Sequence, residues 1–261
     1  MKKEIQVKVL NFDFFVTKFL KRLLIDIINS KSIEMQITKN TGRIIGLLFL
    51  LATITGGWGT SIRGLSGARD NIVAFLNSLA ENASQMKLAI GLDMLGSAIA
   101  VFIAIYLYPI IKKYSTRLAI AYVGIGLVNF TIITISNVIH WSLISLGANY
   151  VDTTASEAPH FATLAIMHYE AYYWAHFLLL MCYAIGGSVL YYSLFKIKLI
   201  PLWLAVWGLL ASSIVFAGGA LQLADIPVSF YLFVQNGVFV LTFIGYLLAM
   251  GFKTDKYYAL N

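Results

Sequence analysis

The sequence predicts an all-α integral membrane protein, a bundle of about six transmembrane helices preceded by an N-terminal amphipathic interfacial helix. Three observations predict it. Hydrophobic residues make up 59% of the 261-residue chain and charged residues only 12%, too few charges to cover that much apolar surface in water. The mean hydropathy of +0.80 points the same way. The apolar residues also run on without interruption, each run close to or beyond the roughly 20 residues a helix needs to cross a hydrocarbon core of about 30 Å.

Residues 1 to 37 form a separate arm. Phe12, Phe15, Val16, Phe19, Leu20, Leu23 and Ile27 recur at helical spacing, whereas Lys18, Lys21 and Arg22 fall on another face. That is the pattern of an amphipathic helix, expected to lie on the anionic cytoplasmic leaflet. Docking of a partner subunit or self-association through the same arm is the alternative.

Residues 38 to 252 form the bundle, with spans expected over Ile44–Ile62, Leu88–Ile111, Leu118–Leu146, Ala171–Phe195, Leu199–Leu223 and Val228–Phe252. Asp93 is the one charged residue within them. Barrel strands would instead show segments of about ten residues alternating apolar and polar, so the class is helical. Gly56, Gly57, Gly59, Gly186, Gly187, Gly218 and Gly219 are read as packing positions, because small residues let helix backbones approach closely in a membrane. No signal peptide is expected, since the first apolar run begins near Ile44 with no small-residue cleavage site after it.

The connections carry the orientation. Lys112, Lys113 and Arg117 follow the second span, Lys196 and Lys198 the fourth, and Lys253 and Lys256 open a short tail over residues 253 to 261. An excess of lysine and arginine marks cytoplasmic loops, so both termini are expected inside a prokaryotic cell membrane. Gly147–Met167 and Ala224–Pro227 hold no lysine or arginine and are expected outside. The first outside loop keeps Arg63, Arg69 and Lys87, and a short helix over Ala68–Asn82 is expected to lie on the membrane. This distribution, rather than a basic patch interleaved with exposed aromatics, accounts for the net charge of +7 and speaks against nucleic acid as a partner. The single Cys182 excludes an intramolecular disulfide within the chain.

Three stretches carry a family resemblance. They are Thr41-Gly42-Arg43-Ile44-Ile45-Gly46-Leu47-Leu48-Phe49-Leu50, then Asp93-Met94-Leu95 with Tyr106-Leu107-Tyr108-Pro109, and Gly186-Gly187-Ser188-Val189-Leu190-Tyr191-Tyr192 followed by Ile200-Pro201-Leu202-Trp203. From Thr38 to about Gly251 the chain resembles the bacterial and archaeal membrane proteins of domain-of-unknown-function family 4386. The resemblance implies a compact multispanning bundle and supplies no catalytic residues. Members often carry a charged or strongly polar residue midway along the third span, where this chain has Val128-Asn129.

A charge at the bilayer centre costs roughly 2.5 to 3.5 kcal/mol on insertion scales, so each buried polar group should have a partner or a role. With the expected orientation, Asp93, Asn137, His140, Glu170, His176, Gln222, Gln235 and Asn236 all fall in the outer half of the bundle or just above it. They form a candidate polar cavity. His140, His168 and His176 are the candidate metal or haem ligands, although His168 and His176 lie about 12 Å apart along one helix and cannot share an ion. A zinc-type His-x-x-x-His is absent. The plainer reading has His140, His160 and His168 as interfacial residues beside an aromatic belt of Tyr169, Tyr172, Tyr173 and Trp174. No Gly-x-Ser-x-Gly turn or phosphate-binding loop occurs.

Three functions follow from these residues. The first is binding or translocation of a small ligand in an outer polar cavity. The second is an accessory membrane subunit that works through residues 1 to 37. The third is a metal- or haem-dependent membrane enzyme using His140, His176 and Glu170; no cofactor is favoured by any motif.

Overall fold

The computed structural model describes residues 37–63, 71–229 and 231–254. The amphipathic arm, apart from Ile37, and the tail beyond Thr254 lie outside the described residues. Among the described residues there are seven helices and no strand: α1 Lys39–Arg63, α2 Ile72–Glu81, α3 Ala83–Lys112, α4 Thr116–Val151, α5 Ala158–Lys196, α6 Leu202–Leu223 and α7 Tyr231–Met250. All but α2 are long and apolar enough to cross a membrane, and the protein is an integral membrane protein.

Local chemistry fixes the ends. Thr38 and Thr41 cap α1 reciprocally, each hydroxyl accepting from the other's backbone N–H at 3.1 Å, which satisfies two donors that helix geometry leaves over. Asn71 caps α2 by accepting from Ala74 N at 2.9 Å, and Ser115 caps α4 by accepting from Leu118 N at 3.3 Å. At the other ends, Lys198 and Asp225 take left-handed backbone with φ of 62° and 58°. The amides that follow them, Leu199 N and Ile226 N, reach back to Leu194 O and Leu221 O at 3.0 Å, closing α5 and α6 in Schellman turns.

The spanning helices pack in order, each on its predecessor and successor, and α1 packs on α7 to close the ring. Gly42 and Gly46 make that closure possible. A side chain on Gly42 would meet the backbone of Gly251 and Phe252, and one on Gly46 would stand 2.8 Å from Leu247 Cβ. Gly251 has φ of 67° and lies against the Lys39 backbone, a conformation and an approach that only glycine accepts without strain. Lys253 N then donates to Leu199 O at 3.0 Å, which ties the start of the tail to the α5–α6 connector. Inside the ring, Tyr191 of α5 meets Phe239 and Phe243 of α7 at 4.9 and 5.3 Å between ring centroids, and Phe49 of α1 meets Phe243 at 5.6 Å. Such edge-to-face aromatic contacts fill the interior on this side.

Alternation of six helices puts the connectors 113–115 and 197–201 at one end with Lys39 and Lys253, hereafter the basic end. The connectors 152–157 and 224–229 lie at the other, with α2. One expectation changes here. The connection Gly147–Met167 is mostly helix, because α4 runs to Val151 and α5 starts at Ala158 with Pro159 in its first turn, where proline is tolerated. At 36 and 39 residues, α4 and α5 exceed the roughly 20 that span a bilayer and project beyond it as a hairpin. The short helix expected over Ala68–Asn82 is Ile72–Glu81 among the described residues, and its apolar face docks on this hairpin. Phe75, Leu76 and Leu79 bury against Leu143, Ile144, Ala165, Tyr169 and Tyr172 of α4 and α5.

Of the glycines read as packing positions, Gly59 lies 2.9 Å from Ala89 O by its would-be Cβ, Gly187 2.8 Å from Ser212 Oγ and Gly219 2.7 Å from Met181 Cγ. Gly186 and Gly218 also meet neighbours, but Gly56 and Gly57 face open space.

Candidate functional site

Asp93, on α3, is positioned by the smallest neighbour available. A Cβ on Gly59 of α1 would stand 3.3 Å from Asp93 N and 3.5 Å from Asp93 Cβ, so the glycine lets α1 support the acid's backbone from behind. In front, Asn137 of α4 donates from Nδ2 to Asp93 Oδ2 at 3.3 Å. Asn137 is buried, while Asp93 is partly exposed. A hydrogen bond to a carboxylate carries about 1.5 to 3 kcal/mol, enough to offset much of the cost of holding the acid at this depth.

Beside Asp93 is a cavity of about 50 Å³ bounded by three helices. Asp93 contributes one wall, Ile132, Ile133 and Ser136 of α4 a second, and Tyr172, Ala175, His176 and Leu179 of α5 a third. The volume accepts waters or a small ion and is far below the 300 Å³ or more of an organic ligand site. Tyr172 stands in ring contact with two imidazoles: it stacks on His176 at 6.3 Å with 25° between planes, and meets His140 edge-on at 6.2 Å. His140 is fully buried on α4, unlike the interfacial histidine the plainer reading expects. Tyr169 and Tyr172 are buried too; they pack under α2 rather than forming a lipid-facing belt.

Asp93, Asn137, His140 and His176 therefore belong to one neighbourhood. The other candidates lie elsewhere. Gln222 accepts from Val228 N at 3.3 Å and donates to the Tyr173 hydroxyl, tying α6 and the loop after it to α5. Gln235 donates to Ala211 O at 3.4 Å, joining α7 to α6. Asn236 acts on the Tyr183 hydroxyl of α5, which also interacts with Tyr191. Glu170 is partly buried on α5 and does not line the cavity. His168 bonds through Nδ1 with Leu164 O of its own helix at 2.8 Å. Among the described residues no three His, Cys, Asp or Glu side chains converge where one metal ion could be held.

Sequence reasoning missed the lining roles of Tyr172 and Ser136, although Tyr172 lies four residues before His176 and Ser136 four before His140, each pair on one helix face. It also missed a second polar group, Tyr122, Tyr183 and Tyr191, whose hydroxyls interact with one another between α4 and α5. Tyrosine counts as apolar in hydropathy, which hides such a group.

A family model described as Domain of unknown function (DUF4386) matches residues 44–251. Neither a curated protein nor a solved structure matches the chain.

Proposed function

The chain belongs to the family described as Domain of unknown function (DUF4386), and from that premise we propose that it is a membrane protein that binds a small monovalent cation, the proton included, at Asp93. The carrying observation is the cavity of about 50 Å³ that joins Asp93 to Ser136, Tyr172 and His176. A carboxylate within a bilayer is stabilised by protonation or by a counter-charge, and this cavity is the right size for a bare or singly hydrated ion. Its lining offers oxygen acceptors from Asp93 and Ser136 and a ring nitrogen from His176.

Binding rather than open passage is favoured by the apolar residues around Leu76, Leu79, Leu143 and Tyr169, which cover the α2 end of this region. The lysines and arginines at the basic end support a cytoplasmic position for that end in a cell membrane, with the cavity towards the outer leaflet. Melting of the purified protein in lipid nanodiscs tests the reading, with sodium, potassium or choline chloride at fixed ionic strength and at several pH values. A ligand that binds only the folded state raises stability with the logarithm of its concentration. Wild-type protein should respond to proton or metal-cation concentration, and Asp93→Asn should not; identical responses from the two proteins would refute it.

A further inference from the structure

A second space lies on the outside of the same helix pair. Between Ile90 and Met94 of α3 and Thr134, Val138 and Trp141 of α4 runs a groove of about 380 Å³, many times the roughly 30 Å³ a water occupies. Its walls are almost wholly apolar, and no acidic side chain lines it. Val138 and Trp141 are exposed, so the groove opens sideways, where the bilayer must lie against the bundle. Any occupant therefore arrives from the lipid.

What stands at the mouth identifies that occupant. Lys87, one turn into α3, holds its ammonium 5.9 Å from the Trp141 ring centroid; it is exposed and makes no ion pair with a described side chain. A lysine beside a tryptophan at the end of a span marks the headgroup level. Lys87, Ile90 and Met94 follow at spacings of three and four, so they share one helix face. Met94 lies about 10 Å below Lys87 at 1.5 Å per residue, against a leaflet half-thickness of about 15 Å. The groove thus has a cation at headgroup depth and an apolar channel beneath it.

We propose that this groove holds one acyl chain of a phospholipid whose phosphate pairs with Lys87. The site is independent of the cation reading, but the two adjoin: Asn137 lines the groove and bonds Asp93, so a chain seated there presses on the amide that holds the acid.

Photolabelling tests the proposal. The full chain is reconstituted in phosphatidylcholine vesicles containing either a phosphatidylglycerol or a phosphatidylcholine with a diazirine in its acyl chain, and labelled peptides are mapped after illumination. Labelling should concentrate on residues 87–95 and 134–142, with phosphatidylglycerol preferred. Val138→Trp, which fills the groove from its exposed side, should abolish that concentration. Lys87→Gln lies on the surface and leaves folding intact; it should lower phosphatidylglycerol labelling about fivefold, the contribution of one basic residue near an anionic surface. Labelling spread evenly over all lipid-facing helices, or unchanged in Val138→Trp, would overturn the acyl-chain site. A phosphatidylglycerol preference retained in Lys87→Gln would overturn the pairing with phosphate.

Discussion

The side-chain amide of Asn137 donates to the Asp93 carboxylate at 3.3 Å across the α3–α4 interface, and Asn137 belongs to the wall of one space while Asp93 belongs to the wall of another. The pair is therefore the partition between a polar cavity inside the bundle and a groove on its lipid face. Removing the donor with Asn137→Leu should destabilise the protein by about 1.5 to 3 kcal/mol, because a carboxylate loses a hydrogen bond in a poorly solvated position. Replacing both, Asp93→Leu with Asn137→Leu, should cost less than the sum of the single changes. Denaturant unfolding in mixed micelles measures all three, and additive costs would show that the two side chains are not coupled.

Gly147 of α4 admits α2. Its would-be Cβ lies 2.8 Å from Leu76 O and 2.8 Å from Leu79 Cβ, and a backbone carbonyl cannot step aside alone. Gly147→Val should cost about 1 to 3 kcal/mol through overpacking and release α2 from the hairpin. Hydrogen exchange over residues 72–81 should quicken in the variant while α6 and α7 keep their protection.

Orientation is testable at two points. A green fluorescent protein fused after Asn261 should fluoresce, and alkaline phosphatase fused there should be inactive, because the positive-inside rule sends the basic end to the cytoplasm. Fusion within the 224–229 connector should give the reverse pair of results.

Alkaline pH should expose one contact at the basic end. The Tyr114 phenol, in the connector between α3 and α4, is raised above its ordinary 10.0, chiefly by its hydrogen bond with Tyr192. A raised folded-state value means the native protein keeps this proton where the unfolded chain has lost it. The associated stability is complete below pH 10.0 and disappears as pH climbs through the raised value. In Tyr192→Phe the Tyr114 ionisation should move down towards 10.0, read by ultraviolet difference titration against Tyr114→Phe as the blank.

The spans were legible because each is a continuous apolar run, and the ring order follows from short connectors that force neighbours to pack antiparallel. The inward faces were not legible. Lipid is as apolar as a bundle core, so helices such as α4 and α5 are apolar all round and their periodicity does not say that His140 and Tyr172 point inward together. The same difficulty separates Gln222, Gln235 and Asn236 from Asp93: depth in the membrane can be counted along a helix, but azimuth between helices cannot. Docking of α2 was hidden for another reason. It depends on Gly147, which reads as loop punctuation until α4 is seen to continue through it to Val151.

Infrared difference spectroscopy on the reconstituted protein tests the cation site most directly, by recording the change when choline is exchanged for sodium or when pH is stepped. Uptake of a proton or cation at Asp93 predicts a carboxyl or carboxylate band in the wild-type difference spectrum that is missing from Asp93→Asn and shifted in Asn137→Leu. A difference spectrum that is the same in wild type and Asp93→Asn would contradict the account.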